Sequence, residues 1–479
     1  MSDIVLTAFN TKYAHCAFGL RYLMANLGEL RASARLLEFD IHQQPLNVAE
    51  EVLQQKPKIV GIGVHVWNVA QCMELVADLK RLRPDLTVVL GGPEVSYETE
   101  QQAIAQLADH VITGEGDLVF AELCRELLVR APLPHVIAAE SPALERVLLP
   151  YDLYTDDDIA HRVIYVEASR GCPFGCEFYL SSFDIPVRYF LLEQFLAAMQ
   201  LLLDRGARRF KFVDRSFNVD LHRATTILQF FLERARPGLN VHFEMVPDRF
   251  PDPLRDLVRQ FPTGILRIEV GVQTFNDEVA ARIGRRQNNA KAEANLRWLR
   301  EKTEALIHAD LVLGLPGETL ESIAAGFDRL VSLRPQEIQV GILKRLRGAP
   351  IVRHDREWEM VYSPYPPYEI LQNKLIDFFT MQRLKRFARF WENIWNSGAF
   401  TTTASLLWVD GSAFGNFLRF SDWLFTQVGQ THGIARPRLA ALLERYLTEA
   451  SGRSTADVAC ARQTDEMRTR QLRRSRQAQ

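Results

Sequence analysis

Cysteine is scarce in this chain: there are six in 479 residues, and only Cys172 and Cys176 stand close together. That scarcity excludes the dense, paired frameworks of small oxidised domains and fits a reduced compartment. Long apolar runs are missing too, since no stretch approaches the ~18 uninterrupted residues of a membrane-spanning helix. The opening stretch MSDIVLTAFN lacks the basic start and small-residue cleavage site of a secretory leader, so a cytoplasmic protein is expected. Nor is there an excess of charge of either sign: Lys+Arg 57 against Asp+Glu 59 leave a formal net charge of -2. No global electrostatic case therefore exists for a nucleic-acid or acidic-membrane partner. Finally, no G-x-G-x-x-G follows the first apolar run, which argues against NAD or FAD.

What is present is apolar and periodic. A hydrophobic content of 47% over this length allows several cores, about three domains of ~150 residues each. Residues 1–132 alternate short β-branched runs (IVLTAF, ARLLEFDI, IVGIGVHV, LTVVLGG, HVITGEG) with helix-length segments. Such alternation predicts a parallel sheet covered on both faces, a doubly wound, Rossmann-like α/β domain with its ligand at the carboxyl ends of the strands. Residues 133–160, rich in Pro, Ala and acidic side chains, read as a linker. A second βα series over 161–348 runs through HRVIYVEASRGC, RRFKFVDRSFN, NVHFEMVPDRF, GILRIEVGVQTFN, LIHADLVLGLPGE and QEIQVGILKRL. Six strands of this kind predict a partial (β/α) barrel, again with its chemistry at the carboxyl ends. Residues 349–462 are helical and aromatic, and 463–479 are Arg-rich and expected to fray. In RFARFWENIW the helical spacing of Phe387, Phe390, Trp391 and Trp395 favours buried core over a substrate cover.

The cysteine pair lies just after the first barrel strand, in RGCPFGCEFYLSS. Gly171, Pro173 and Gly175 allow a tight curl that turns two thiols toward one object. A structural zinc site would recruit four N/S ligands, and none follow nearby. C-x-x-x-C-x-x-C in this place is the motif of the radical S-adenosylmethionine (SAM) superfamily, and CPFGCEFY resembles it everywhere but the last position, Tyr179. The resemblance implies a [4Fe-4S] cluster on Cys172 and Cys176, with Tyr179 at the third ligand position. It also implies a SAM site that uses Phe178 beside adenine and Asp214 and Arg215 where backbone holds the SAM amine. Glu269 and Gln273 would lie near the ribose, and Gly314, Gly317 and Glu318 on the adenine side. Tyr179 has three open readings: a packing residue, a phenolate ligand, or a substitution peculiar to this chain. Its phenol ionises near ~10 against ~8.5 for a thiol, and iron-sulfur clusters prefer soft sulfur. A weak, easily degraded or absent cluster is expected.

The amino-terminal domain resembles the cobalamin-binding domain that precedes the barrel in one large subclass of radical SAM enzymes. The resemblance implies that GVHVWN, with His65 and Asn68, and the glycines Gly91, Gly92, Gly114 and Gly116 accommodate cobalamin. The D-x-H-x-x-G pattern of histidine-ligated cobalt is broken, with Tyr13 at the Asp position and Phe18 where Gly belongs. DIHQQP, carrying Asp40 and His42, follows the wrong strand, so His15, His42 and His65 are expected to be loop or pocket residues and not cobalt ligands. The family implies methyl transfer from methylcobalamin to an unactivated carbon, or a related radical rearrangement or redox step. Its partners would be a small-molecule substrate and an electron donor such as flavodoxin or ferredoxin, with neither nucleic acid nor membrane. The alternative is a non-catalytic paralogue that binds cobalamin or SAM, or serves as a partner subunit.

Overall fold

The β-branched runs of the first third form strands because alternate residues can be buried on opposite faces of one sheet. In the computed structural model, which describes residues 2–129, 131–180 and 186–477, with side chains to residue 470, these strands are β1 (Ile4–Asn10), β2 (Ala34–Asp40), β3 (Ile59–Gly63), β4 (Thr87–Gly91), β5 (His110–Gly114) and β6 (Val136–Ala139). They pair in parallel in the order β2-β1-β3-β4-β5-β6. Val5, Val60 and Val88 face one layer, packed by Val48, Val52, Leu75 and Leu79 of the helices Pro45–Gln54 and Val69–Leu82. Ile4, Leu6, Ile59 and Val89 face the other, against Leu20, Met24, Phe120 and Leu123 of Phe18–Ala25 and Val119–Leu128. The expected doubly wound sheet is therefore present. Its order reverses at β1 and β3, and the crevice for a ligand opens at their carboxyl ends.

β6 lies inside the stretch expected as linker. It pairs with β5 from Val111↔Val136 to Gly114↔Ala139, so the sheet gains a sixth strand and the 132/133 boundary moves to about residue 139. The Pro and Ala residues that flank VIAA concealed a run of only four.

The second sheet begins with β7 (Ile164–Val166). A short antiparallel pair, β8 (Ser169–Arg170) and β9 (Arg188–Tyr189), then brackets the cysteine loop. β10 (Arg209–Phe212), β11 (Asn240–Met245), β12 (Leu266–Gln273), β13 (Leu306–Leu313) and β14 (Glu337–Ile342) continue it, in the parallel order β14-β13-β12-β11-β10-β7. These are the six segments expected, in chain order, and they form a partial barrel open between β14 and β7. Four of its helices start on side-chain caps: Asp220, Asn276, Asn288 and Thr319 each accept a backbone N–H of the following turn.

The region expected to be helical is mostly so, after a small antiparallel pair, β15 (Val361–Tyr362) with β16 (Ile370–Gln372). Beyond it Phe387, Phe390 and Trp391 are fully buried, as their spacing predicts. The tail expected to fray is helical instead, from Thr455 to Gln477. Val458, Ala461 and Asp465 form its buried face. Asp465 accepts the N–H groups of Thr402 and Thr403 and the Thr403 hydroxyl, supplying a cap that a count of arginines does not reveal. Among the described residues no helix is long and apolar enough to cross a membrane.

Candidate functional site

The two sheets turn their carboxyl ends toward each other across a cavity of about 700 Å³, within the ~300–1,000 Å³ of small-molecule and cofactor pockets. On one side it is lined by the ends of β1, β3, β4 and β5, and on the other by Tyr165, Glu167, Ser169, Arg170, Val213 and Arg215 of the barrel. Two knots of buried charge hold the walls together. In the first, Arg21 lies 2.7 Å from Glu38 and 3.0 Å from Asp158, with Arg162 within 3.2 Å of Glu38. In the second, Arg170 lies 2.8 Å from each of Glu115, Asp117 and Glu167.

Gly91, Gly92, Gly114 and Gly116 all line this cleft. Gly92 (φ +111) and Gly114 (φ +80) adopt left-handed backbone, where an added Cβ would sit 2.4 Å from the Val64 carbonyl and 2.5 Å from that of Ala139. Gly91 has nothing nearer than 3.8 Å, so its missing side chain leaves open room. His65 lines the cleft and stacks on Trp67, centroids 4.3 Å apart. Burial pushes its imidazole down to about 4. Asn68 does not line the cleft: its amide donates to the Phe9 and Gly63 carbonyls and its oxygen accepts the His65 N–H. It clamps the loop that carries His65. His15 also faces the cleft and is hydrogen-bonded through Nδ1 to the Tyr165 hydroxyl at 2.6 Å. His42 is exposed and lines no part of it.

Cys172, Cys176 and Tyr179 converge on a second, smaller cavity at the barrel mouth, shared with Arg215, Glu244, Gln273 and Arg285. The turn that brings them together is closed by the Tyr179 N–H on the Cys176 carbonyl, which places residues three apart on one side of the chain. Glu177 anchors the loop from outside: its N–H donates to Ile283 O, its carbonyl accepts from Ile351, and its carboxylate meets His354 at 2.8 Å. Burial pushes the Cys172 thiol above its ordinary value, while Arg285 Nη1 stands 3.5 Å from Cys176 Sγ. Burial, then the nearby carboxylates Glu244 and Asp310, raise the Tyr179 phenol well above its ordinary range. Its hydroxyl accepts from Gln273 Nε2 at 3.3 Å. Gln273 is itself left-handed (φ +68), at a register shift between Gly271 and Gln273 on β12. Phe178 packs against the Tyr179 ring, centroids 4.4 Å apart.

The other residues carried over from the resemblance line neither cavity. Asp214 is buried and accepts the Ala168 N–H and the Ser169 hydroxyl, tying the second barrel strand to the first. Burial pushes its carboxyl up to about 7. Glu269 pairs with His242 at 2.9 Å and Lys211 at 3.4 Å inside the barrel. Against the cost of burial, these partners hold it well below the usual carboxylate range. Gly314 and Gly317, both left-handed, pack under Ile370 and Arg282. Glu318 accepts from the Thr274 hydroxyl, and burial raises it to about 7.

Sequence reasoning overlooked the polar interior of the barrel, where Lys211, His242, Glu269, His308 and Asp310 meet. Its signal was the alternation of polar with apolar residues in RFKF, NVHFEM, LRIEVGVQ and LIHADLVL, which puts one polar row on the inner face. Arg285 and Gln287 were overlooked as well, and RRQNN offers no motif for them.

Comparison with known proteins follows the same division. The B12 binding domain matches residues 4–124, and the radical SAM superfamily matches 166–330. The chain joins a B12-binding domain to a radical SAM domain. Residues 356–467 match a family described as a protein of unknown function, DUF4080. The chain is 23% identical over 308 residues to an uncharacterized methyltransferase of Pyrococcus horikoshii, covering 58% of this chain and 65% of that protein. It is 22% identical to the cobalamin-dependent radical SAM methyltransferase TokK of Streptomyces tokunonensis, covering 62% of this chain and 48% of that one. Among solved structures, the cobalamin-dependent SAM radical enzyme OxsB, with aqua-cobalamin and SAM bound, superposes with a TM-score of 0.64 at 14% identity. That match covers 99% of this chain and 80% of OxsB. The radical SAM methyltransferase TsrM of Kitasatospora setae, with cobalamin and a [4Fe-4S] cluster bound, gives 0.59 at 18% identity over 76% of each chain. At these identities the likeness is one of fold.

Proposed function

We propose that the chain is a cobalamin-dependent radical SAM methyltransferase acting on a small molecule held where its two cavities meet. The observation that carries this reading is geometric: the paired thiols and the glycine-lined crevice open toward one another, with Arg215 on both cavities. The crevice fits a corrinoid. Its glycines withhold side chains at the strand ends, and the flat His65–Trp67 stack lines the same space. Because the D-x-H-x-x-G pattern is broken, with Tyr13 and Phe18 at its Asp and Gly positions, cobalamin would be held without histidine on cobalt.

The cysteine cavity fits a cluster in two of its three donors, because Tyr179 presents oxygen where a third thiolate belongs. When bound, a SAM-ligated cluster supplies a 5'-deoxyadenosyl radical and methylcobalamin supplies a methyl group. This chain's own residues hold the thiols in a closed loop, keep the interdomain walls fixed through Arg21 and Arg170, and line the space between with apolar side chains. On the outer face of the loop, Gly175 has no atom within 4 Å of an added Cβ and Arg286 is exposed. That approach suits a flavodoxin- or ferredoxin-like electron donor. Tyr179 favours one second reading, a paralogue that binds cobalamin or SAM without radical chemistry.

Anaerobic reconstitution with iron, sulfide, hydroxocobalamin and SAM separates the two. The enzyme reading expects 5'-deoxyadenosine after reduction, together with visible absorbance that bleaches. Bound cobalamin with neither signal assigns the paralogue.

A further inference from the structure

Among the described residues, Arg215 alone lines both the cysteine cavity and the interdomain cleft. Among the described residues its guanidinium makes no hydrogen bond, and its nearest ionic partner, Glu244, is 3.7 Å away. Of the other arginines of these walls, Arg286 lines the cysteine cavity but not the cleft and is exposed, whereas Arg170 and Arg285 are engaged. Arg170 is tied to Glu115, Asp117 and Glu167, and Arg285 donates to the Gly271 carbonyl and Gln287. The carboxylates of the cleft are likewise neutralised, since Arg170 serves all three and Arg188 also meets Glu115. What remains at the junction is a planar fork of donors on a side chain 58% exposed, whose shape matches a carboxylate or phosphate.

From this placement, and resting on the reading that cofactors occupy both cavities, we infer that Arg215 recognises an anionic group, a carboxylate or phosphate, on the substrate. A substrate anchored there would lie between the cysteine loop and the glycine crevice, with its uncharged part in the apolar cleft. The same chemistry is offered by the carboxylate of SAM, and the test distinguishes the two sources.

The probes are phenylacetate, its neutral amide phenylacetamide, SAM, and decarboxylated SAM. Each is titrated by calorimetry into the cobalamin-loaded chain as wild type, Arg215→Lys and Arg215→Gln. The expected result is that phenylacetate binds wild type about tenfold or more tightly than phenylacetamide. Arg215→Lys should keep part of that preference and Arg215→Gln should lose it, with SAM affinity unchanged in all three. Equal binding of acid and amide by wild type overturns the inference, as does a preference that survives in Arg215→Gln. A loss of SAM affinity in Arg215→Gln that decarboxylated SAM does not share also overturns it, by assigning the guanidinium to SAM. Because Arg215 is largely exposed, unchanged thermal melting of both variants is expected. The same acid and amide titration on the chain without cobalamin keeps failure of the cofactor reading separate from failure of this one.

Discussion

Replacing Arg21 by alanine is expected to destabilise the amino-terminal unit by about 3–5 kcal/mol, the range for removing one partner of a buried ion network. Arg21 is 2% exposed and sits between Glu38 and Asp158, with its guanidinium over the Tyr154 ring at 4.9 Å. Glu38 also accepts from Asn10 and from the Ala17 N–H, and Arg162 reaches both acids. Without Arg21, two buried carboxylates would share one cation, and the helix Phe18–Ala25 would lose its tie to Asp156–His161. Arg21→Lys should lose less, because it keeps the charge while giving up the fork. Urea unfolding followed by cleavage in the 140–160 segment measures the effect. A shift below about 1 kcal/mol, the usual worth of an exposed pair, would show that the knot is solvated and does not hold the walls.

Tyr179→Cys is expected to change the metal content more than any other single substitution. Residue 179 shares the cavity with Cys172 and Cys176, and its N–H closes the turn onto the Cys176 carbonyl. A cysteine there would complete three thiolates on one side of the loop. Relative to a thiol, a phenol costs about 2 kcal/mol more to ionise at neutral pH, and it offers a hard oxygen to a cluster that prefers sulfur. After anaerobic reconstitution, wild type should hold substoichiometric iron and sulfide, and Tyr179→Cys should approach about four of each per chain. Full and equal content in both would mean that Tyr179 serves as a ligand, or that another group replaces it. Higher 5'-deoxyadenosine yield in the variant is expected to follow the iron.

Most of the architecture was legible because burial on two faces writes a plain pattern. The runs IVLTAF and IVGIGVHV announce parallel strands covered on both sides, and the carboxyl-end rule then places the cleft. Elements whose stability is tertiary were not legible. β6 is four residues long and depends on β5 for its hydrogen bonds, and the last helix depends on Asp465 capping Thr402 and Thr403. The site divided in the same way. Cys172, Cys176 and Tyr179 stand out by their spacing, and Gly92 and Gly114 take up left-handed backbone that favours glycine. Asn68, Asp214, Glu269 and Glu318 carry the residue types a cofactor site uses, yet their side chains bond to the protein itself. Pairing across strands decides that, and no linear motif records it. Arg215 was legible as a site residue, but its position between two cavities required both domains in place.

The central claim is that the glycine crevice holds a corrinoid facing the cysteine loop. Gly91 tests it cleanly, since it lines the cleft, an added Cβ meets nothing nearer than 3.8 Å, and its backbone is not left-handed. The measurement is the hydroxocobalamin retained after gel filtration by wild type and by Gly91→Phe. About one per chain for wild type, and a loss of tenfold or more in affinity for the variant, is the predicted result. Cobalamin absent from wild type, or held equally by both, would contradict it.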